Sequence, residues 1–256
     1  MTSPQHGMRQ WHGKTAVVTG ASSGIGAAIA ARLLADGMRV VGCGRRQPLV
    51  AERFAAADPS GNASLALACD VTDEAAVKDL FAAARDRFGG VDVLINNAGL
   101  GHAGTLAGGE VADWREMLEV NILGLCLCTR EALADMRRRK SFGQIIHISS
   151  MAGQRVPPGA GFYGATKHAV RALTESLRIE LREAGDPIRV GEISPGYVET
   201  GFAEHYYKSA EKARETYSRF KVLEPVNIAE AVISMLACPP HVQVHDILLR
   251  PTDQPT

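Results

Sequence analysis

Two side chains that can exchange and hold protons lie four residues apart in the stretch FYGATKHAV: Tyr163 and Lys167. On a helix this spacing places both on one face, which continues through Val170 and Thr174. A free phenol has a pKa near 10, so proton exchange near pH 7 requires a lowering by about 3 units, or roughly 4 kcal/mol. An ammonium about 4 Å away supplies about 4 kcal/mol at an effective dielectric constant of about 20. The pair predicts a general acid/base, Tyr163, whose pKa Lys167 lowers; a chance occurrence of this spacing is the alternative.

Two further polar residues fit a catalytic site with this pair. Ser150 ends the strand-like stretch GQIIHISS, and the carboxyl ends of strands are where α/β sheets bind ligands. Its hydroxyl could donate to a substrate carbonyl, or it could cap a turn, while Ser149 should point to the opposite side of the strand. Asn121 falls on the apolar stripe of its predicted helix, so its amide is expected to be buried, with a function or a local backbone partner.

A glycine-rich loop follows the first apolar stretch in AVVTGASSGIG. Gly20, Gly24 and Gly26 permit a tight turn, a close approach of backbone to a pyrophosphate, and packing of helix on strand. The helix that follows offers free N–H groups to an anion, and Ser22 and Ser23 add hydroxyl donors. The loop predicts a dinucleotide site, although its G-x-x-x-G-x-G spacing departs from G-x-G-x-x-G and a turn without a ligand is the alternative.

The end of the second predicted strand, VVGCGRR, bears on which dinucleotide binds. An NAD site favours a carboxylate here to accept from the ribose 2′-hydroxyl. This chain has Gly44 followed by Arg45 and Arg46, and an arginine can bind a 2′-phosphate in bidentate fashion. The sequence therefore predicts NADP(H), with a solvated arginine pair as the alternative.

Three other strand ends are expected to line the same cleft. Asp70 could accept a hydrogen bond from an adenine amine, and the NNAG stretch lets backbone approach the adenine side. Thr200, in SPGYVET, could reach the pyrophosphate or the carboxamide.

The elements that position these residues alternate along the chain. Short apolar stretches predict strands buried on both faces, and segments with helical spacing lie between them. The predicted strands span Thr15–Thr19, Arg39–Cys43, Ser64–Ala68, Val91–Asn96, Gly143–Ser149, Ile188–Ser194 and Asp246–Leu249, and the clearest helical segments span Ala27–Leu34, Glu74–Phe88, Asp113–Met136 and Lys167–Leu181. This order predicts an α/β, Rossmann-type, doubly wound, seven-stranded parallel sheet with helices on both faces.

A single domain is the simplest organisation for 256 residues without an internal repeat or linker. Residues 1–12 are expected to be a polar leader, with Trp11 able to pack on the domain, and residues 13–256 a single NADP-binding catalytic domain. The long, aromatic segment 197–223 is expected to be a lid over the substrate. His102 and Arg155 lie in loops near the expected substrate mouth; each could contact a polar substrate, but simple exposure is the favoured interpretation.

Composition excludes several classes of protein. Lys+Arg and Asp+Glu both number 28, and zero net charge disfavours a nucleic-acid binder. No apolar run approaches the ~18 residues that cross a bilayer, and the first residues show no secretory signal. Five cysteines without metal-ligand spacing predict a reduced, cytoplasmic protein with no metal site.

Taken together, the motifs resemble those of the short-chain dehydrogenase/reductase family. The stretches TGASSGIG, NNAG and PG-x-V-x-T, with Asp70–Val71, Asn121, Ser150 and the Tyr-x-x-x-Lys pair, occur in the family's order, and the family's own loop has the G-x-x-x-G-x-G spacing. The resemblance implies that Ser150 and Tyr163 contact the substrate and that Tyr163 is the acid in reduction. It also implies that Lys167 binds the nicotinamide ribose, that Asn121 holds a relay water, and that hydride passes without a metal.

The cofactor positions that this interpretation implies cover both sides of the cleft. They are Gly20, Ser22, Ser23, Gly24, Ile25, Gly26, Arg45, Arg46, Asp70, Val71, Asn97, Ala98, Gly99, Tyr163, Lys167, Pro195, Gly196, Val198 and Thr200.

Within the family, the chain is similar to a vertebrate group that reduces keto-steroids and other carbonyls with NADPH. It is also similar to bacterial NADP-dependent dehydrogenases of 3-hydroxy acids, and the two groups are hard to separate here. A non-catalytic NADP(H) sensor and a methyltransferase are alternatives of other classes; the first predicts a damaged catalytic set, and the second predicts an acidic residue where Gly44 stands. The expected partners are a small carbonyl or alcohol and further copies of the chain, as a homodimer or homotetramer.

Overall fold

Strands and helices alternate through residues 7–255, the part of the chain that the computed structural model describes. The strands are β1 (Thr15–Thr19), β2 (Arg39–Gly44), β3 (Ser64–Ala68), β4 (Val93–Asn96), β5 (Gly143–Ile148), β6 (Ile188–Pro195) and β7 (Asp246–Leu249). The helices are α1 (Gly24–Ala35), α2 (Gln47–Ala57), α3 (Glu74–Phe88), α4 (Val111–Leu118), α5 (Leu125–Arg139), α6 (Gly161–Glu183), α7 (Phe202–Tyr207), α8 (Ala210–Ser218) and α9 (Pro225–Leu236). All seven predicted strands are present, and their ends move by at most two residues.

The seven strands form one parallel sheet in the order β3-β2-β1-β4-β5-β6-β7. From β1 the chain adds β2 and β3 on one side of the sheet, and it then adds β4 to β7 on the other side. The switch point lies between β1 and β4, which are hydrogen-bonded neighbours. In open α/β sheets such a switch point leaves a crevice at the carboxyl ends of the strands, where ligands bind. The predicted doubly wound, single-domain fold is confirmed.

The core lies on both faces of this sheet. In β1, Ala16 and Val18 belong to the apolar cluster that includes α1 and α9, whereas Val17 belongs to the cluster that includes α3 and α5. Alternate residues of one strand thus pack against opposite helical layers, which explains why the strand sequence is apolar without a break. None of the helices within residues 7–255 has the length and apolar character that crossing a bilayer requires.

The segment predicted as one helix over residues 113–136 differs from that prediction. It begins earlier, at Val111, and a π-helical stretch, Glu119–Gly124, separates α4 from α5. Such wide turns are rare in helices and often occur at functional sites. Here the stretch contains Asn121, whose contacts are described below.

The part of the predicted leader within the described residues packs on the domain. Met8–Trp11 form a short 3₁₀ helix, Trp11 is buried, and its indole Nε1–H donates to the carbonyl oxygen of Leu236 at 2.8 Å. Its ring also stacks on Phe142, with ring centroids 5.4 Å apart. Residues 1–6 lie outside the described residues, so the boundary at residue 12 stays a prediction.

Candidate active site

The four predicted catalytic residues meet at the carboxyl edge of the sheet and come from three segments: the π-helical stretch with Asn121, the turn after β5 with Ser150, and α6 with Tyr163 and Lys167. The loop after β4 passes between two of them: a Cβ atom on Gly99 would lie 3.3 Å from Asn121 Oδ1 and 3.5 Å from Lys167 Nζ. Tyr163 is close to Lys167 as well, since Lys167 Nζ lies 5.8 Å from the centroid of the phenol ring. Ser150 lies close enough to the phenol to influence its pKa. The structure therefore assembles the predicted set in one place.

Tyr163 is buried at the start of α6, among apolar neighbours that include Leu100 and Ala152. Burial raises the pKa of its phenol above the usual value near 10, because the charged phenolate loses water; the nearby hydroxyl of Ser150 acts in the opposite direction. The net direction is therefore opposite to the expected lowering, and the contribution of Lys167 to the pKa of Tyr163 stays a prediction. Loss of hydration outweighs any effect of the ammonium, and the phenol is held protonated.

Lys167 is buried one helical turn beyond Tyr163, as the spacing predicts. Its Nζ donates to the carbonyl oxygen of Ile148, at the end of β5, over 3.1 Å. Burial lowers the pKa of this ammonium to about 8, and the Glu192 carboxylate acts in the opposite direction. At neutral pH the ammonium remains mostly charged, and its hydrogen bond fixes it beside the catalytic phenol.

Asn121 is held inside the protein by three hydrogen bonds. Its Oδ1 accepts from the Leu100 N–H at 2.9 Å, and its Nδ2 donates to the Leu100 carbonyl oxygen at 2.8 Å and to Thr166 Oγ1 at 3.1 Å. The predicted burial of the amide is confirmed, but its backbone partner, Leu100, lies 21 residues away in the chain and is not the local partner of the alternative interpretation. The amide thus fastens the loop after β4 to α6, which carries Tyr163.

Ser150 combines the two roles that its sequence allowed. Its Oγ accepts from the Ala152 N–H at 3.1 Å and so caps the short 3₁₀ helix Met151–Gly153, yet the same hydroxyl acts on Tyr163. Ser149 is buried, and its Oγ has no hydrogen-bond partner among residues 7–255.

The glycine loop has the geometry that a phosphate group needs. Gly20 and Gly24 have φ of +67° and +53°, a region that side chains rarely adopt. A Cβ on Gly26 would lie inside contact distance of the Gly20 carbonyl oxygen and the Asn97 amide. Ser23 precedes α1 and makes no side-chain hydrogen bond to it within the described chain, so the first N–H groups of the helix can receive an anion. These features fit a dinucleotide pyrophosphate.

Asn97 and Ala98 brace this loop from the next strand along the sheet. The Asn97 amide donates to the carbonyl oxygens of Thr19 and Gly20, at 2.9 and 3.2 Å. The backbone N–H groups of Asn97 and Ala98 both donate to Thr19 Oγ1, at 3.0 Å. The side chain of Asn97 is therefore used in holding the loop, a role that the sequence interpretation did not assign to it.

The predicted arginines lie at the end of β2, on the side of the cleft where the adenosine is expected. Arg45 and Arg46 follow β2 and are exposed, and Ser22 Oγ would lie 3.5 Å from a Cβ on Gly44. Asp70 follows β3, and its Oδ1 accepts from the N–H and the hydroxyl of Thr72, at 3.0 and 2.8 Å. This turn fixes the Asp70 carboxylate at the strand end, where Oδ2 could accept from an adenine amine.

The turn after β6 approaches the glycine loop from the other side. A Cβ on Gly24 would lie 3.0 Å from Thr200 Cγ2, so Thr200 lies beside the glycine loop. Its contact with a pyrophosphate or a carboxamide stays a prediction. The turn itself is shaped by the end of the chain, since Gln254 Oε1 accepts from the Tyr197 N–H at 3.0 Å. Gly196 leaves room for Gln254, which is buried.

Aromatic side chains from the predicted lid cover Tyr163. Residues 197–223 contain α7 and α8, and α7 places Phe202 and Tyr206 with ring centroids 5.5 and 6.0 Å from that of Tyr163. Gly101 permits this approach, because a Cβ there would lie 2.8–3.0 Å from all three rings. The segment therefore forms an apolar wall beside the catalytic hydroxyl.

His102 differs from the sequence interpretation. It is buried, which overturns the favoured expectation of an exposed loop histidine. Its Nε2 lies 2.7 Å from Glu116 Oε2, and its ring centroid lies 4.9 Å from that of His205 on α7. Sequence reasoning missed this cluster because its members are far apart in the chain and share no motif spacing. Arg155 is exposed, as expected.

Comparisons with known proteins agree with this geometry. The model of the short chain dehydrogenase family matches residues 14–211. Dehydrogenase/reductase SDR family member 11 of Bos taurus is 49% identical over 255 residues, covering 97% of this chain and 100% of that protein. Farnesol dehydrogenase of Aedes aegypti is 42% identical over 251 residues, covering 96% and 99%.

Solved structures show the same fold at lower identity. A closed form of serine dehydrogenase complexed with NADP⁺ superposes with a TM-score of 0.89 at 33% identity, covering 94% of this chain and 96% of that one. Serine dehydrogenase from Escherichia coli gives a TM-score of 0.80 at 31% identity, covering 94% and 100%. The sequence motifs, the sheet topology and the assembled Asn-Ser-Tyr-Lys set agree with these matches, and the chain belongs to the short chain dehydrogenase family of oxidoreductases.

Proposed function

We propose that this protein interconverts a carbonyl and a secondary alcohol with NADP(H), and that apolar ketones, keto-steroids among them, are its preferred carbonyls. The observation that carries the substrate class is the aromatic wall of Phe202 and Tyr206 against Tyr163. A flat apolar ring system would pack on these side chains and still present its carbonyl to the phenol.

The cleft between β1 and β4 fits a nicotinamide dinucleotide. The Gly20–Gly26 loop and the start of α1 would hold the pyrophosphate, Asp70 would face the adenine, and Arg45 and Arg46 would hold a 2′-phosphate. When bound, the nicotinamide supplies or accepts the hydride at the carbonyl carbon. A solved relative in complex with NADP⁺ supports the choice of cofactor.

Side chains of the protein would supply the proton that the substrate oxygen receives during reduction. The Ser150 hydroxyl would donate to the substrate oxygen, and Tyr163 would transfer its phenolic proton to that oxygen as the hydride arrives. Because burial raises the pKa of Tyr163, the phenol is protonated at neutral pH and ready to act as the acid in reduction. The Lys167 ammonium would stabilise the phenolate that remains, and the same steps in reverse serve oxidation.

A dehydrogenase of 3-hydroxy acids is a second candidate, which the fold similarity to serine dehydrogenases favours. Such a substrate needs a cation for its carboxylate. His102 is a poor anchor, because Glu116 and Asp113 lie beside it, with Oδ1 of Asp113 3.9 Å from its Nδ1. Arg155 remains the exposed cation that could serve. The acidic surroundings of His102 make the apolar carbonyl the better-supported substrate.

The test is NADPH oxidation with a panel of carbonyls. The panel holds a 3-ketosteroid, an aromatic diketone, a simple aldehyde and a 3-oxo acid, with L-serine and NADP⁺ run in the reverse direction. Turnover of the bulky ketones is the expected result. Turnover of only the 3-oxo acid and serine would replace the proposal with the second candidate, and Arg155→Ala would then identify the anchor.

The variant Tyr163→Phe tests whether Tyr163 is the proton donor. It removes the proton donor and keeps the ring that packs on Phe202, so turnover is expected to fall by at least about a thousandfold with NADPH affinity nearly unchanged. Tyr207→Phe removes a hydroxyl from the same lid and should leave turnover intact. An active Tyr163→Phe protein would contradict the assignment of the acid.

The cellular setting and assembly are part of the proposal. The five cysteines are free, which supports a reducing compartment and therefore the cytoplasm. The family resemblance implies pairing of copies through the helical segments Asp113–Met136 and Lys167–Leu181. Leu118, Leu123 and Ile179 are exposed on these segments, which supports a homodimer or homotetramer.

A further inference from the structure

Three side chains with metal-binding atoms meet where the lid touches the body of the protein. One ligand atom from each of His102, Glu116 and His205 lies within 4.8 Å of the others. They come from the loop after β4, from α4 and from α7, respectively. His102 is buried, Glu116 is half-buried and His205 is exposed, so the cluster opens to solvent on the side of the lid.

Two imidazoles and one carboxylate form a ligand set with a clear preference. Zn²⁺ and similar divalent transition metals bind this combination, whereas Mg²⁺ and Ca²⁺ prefer oxygen ligands alone. Ligand atoms around a tetrahedral Zn²⁺ stand about 3.3 Å apart. His205 and Glu116 have accessible side chains, so small rotations would bring the cluster from its present spacing to that distance.

The unused nitrogen of His102 supports this chemistry. Its Nδ1 is buried and has no hydrogen-bond partner among the described residues, but Asp113 Oδ1 lies 3.9 Å away. If Nε2 of His102 bound a metal, the ring proton would move to Nδ1 and point to that carboxylate. Metal-binding histidines typically donate their second N–H to a carboxylate in this way. Lys208 Nζ holds the Asp113 carboxylate in place, at 2.9 and 3.0 Å from its two oxygens.

We propose that His102 Nε2, Glu116 and His205 form a site for one divalent transition-metal ion of the Zn²⁺ class, which fastens α7 to α4. Water would complete the coordination. The ion takes no part in hydride transfer. Because α7 also carries Phe202 and Tyr206, a bound ion would hold the aromatic wall of the substrate cleft against Tyr163.

The first measurement is calorimetric titration of the full chain, without an affinity tag, with Zn²⁺ and with Mg²⁺. The expected result is one equivalent of Zn²⁺ per chain and no comparable binding of Mg²⁺. Substitution by Co²⁺ should give the visible absorption of a low-coordinate site with nitrogen ligands. At a free Zn²⁺ concentration of about 100 times Kd, Tm should rise by about 5 °C or more.

Variants separate this site from adventitious binding. His205→Ala removes an exposed ligand from a short helix, so the protein should fold and lose at least about tenfold in Zn²⁺ affinity. Glu116→Gln should lose a similar factor, and Asp113→Asn should lose less while all three ligands remain. His241→Ala removes an exposed histidine elsewhere and should change nothing.

Absence of Zn²⁺ binding, or binding that survives His205→Ala and Glu116→Gln unchanged, would overturn the proposal. The cluster would then be a hydrogen-bonded contact between His102 and Glu116 and no more. These titrations need neither substrate nor turnover, so their outcome is independent of the proposed oxidoreductase activity.

Discussion

At the scale of single residues, Arg45 offers the sharpest test of cofactor choice. It is exposed at the end of β2, and the preceding residue is Gly44 in place of the carboxylate that an NAD site favours. Arg45→Asp removes a charged hydrogen bond worth about 1.5–3 kcal/mol and adds a repulsive charge. NADPH affinity should therefore fall by about ten- to a hundredfold or more, with a much smaller change for NADH.

Fluorescence titration of both dinucleotides measures this difference. Arg53→Asp makes the same charge change at an exposed position on α2 and should leave the NADPH-to-NADH ratio nearly as it is. Equal losses of both cofactors in Arg45→Asp would mean that this arginine does not distinguish the phosphate.

The positions of the catalytic side chains could be predicted from the sequence, but the pKa of Tyr163 could not. Spacing placed Tyr163 and Lys167 on one helical face, and the structure has them there. The direction of the Tyr163 pKa depends on how much water the folded chain removes from the phenol, and neighbours from other elements, Leu100 and Ala152 among them, remove it. That packing is not local in sequence. The same limit hid the His102 cluster, whose three members belong to three segments.

At the scale of elements, the β1–α1 turn depends on a missing side chain. Gly26→Ala would place a methyl group against the Gly20 carbonyl and the Asn97 amide, and the amide holds the loop through Thr19 and Gly20. Overpacking of this kind costs about 1–3 kcal/mol. Because the displaced groups form the pyrophosphate cradle, NADPH affinity should fall together with stability.

Denaturant unfolding and NADPH titration measure the two effects in the Gly26→Ala protein. Gly108→Ala is the control, since its Cβ would have an ordinary contact, 3.6 Å from Thr105 Oγ1. A Gly26→Ala protein with unchanged cofactor affinity would show that this close packing does not shape the cradle.

The side chain of His147 joins β5 to two helices. It is buried, with Nδ1 2.8 Å from Thr174 Oγ1 on α6 and Nε2 3.4 Å from Thr129 Oγ1 on α5. Burial, reinforced by the Lys167 charge, lowers its pKa to about 3. Between pH 6.5 and 3 the unfolded chain therefore binds a proton that the folded chain does not, so the free energy of unfolding decreases as pH falls.

From pH 6.5 to 4.5 this one group should remove about 2–3 kcal/mol of stability. His147→Gln keeps a polar side chain that does not titrate, so its stability should fall less over that range. Denaturant unfolding at several pH values measures the difference, with the exposed His241→Gln as the control. Parallel curves for wild type and His147→Gln would contradict the assigned pKa.

Across the whole molecule, the succession of strands and helices along the chain could be predicted from the sequence. The strands are buried on both faces of the sheet, and such strands have unbroken apolar sequences. The alternation predicts parallel strands joined by helical crossovers, whereas the order of the strands across the sheet comes from the structure. The π-helical stretch could not be predicted from local spacing. It contains Asn121, whose amide is hydrogen-bonded to Leu100 and Thr166, two residues distant in the chain. The packing of Trp11 against Leu236 likewise depends on residues distant in the chain.

We expect the helices on one side of the sheet to mediate the assembly of several copies of the chain. Leu118, Leu123 and Ile179 are 43%, 44% and 51% exposed on adjacent segments of this side, and burying such side chains between two copies would remove them from water. We therefore expect a dimer or tetramer by multi-angle light scattering. The double variant Leu123→Glu, Ile179→Glu would bring like charges into the interface and should shift the mass towards that of the monomer. Leu106→Glu adds a charge at a loop leucine that is 68% exposed and should leave the mass unchanged. A wild-type monomer, or a double variant that keeps the oligomer, would place any interface elsewhere.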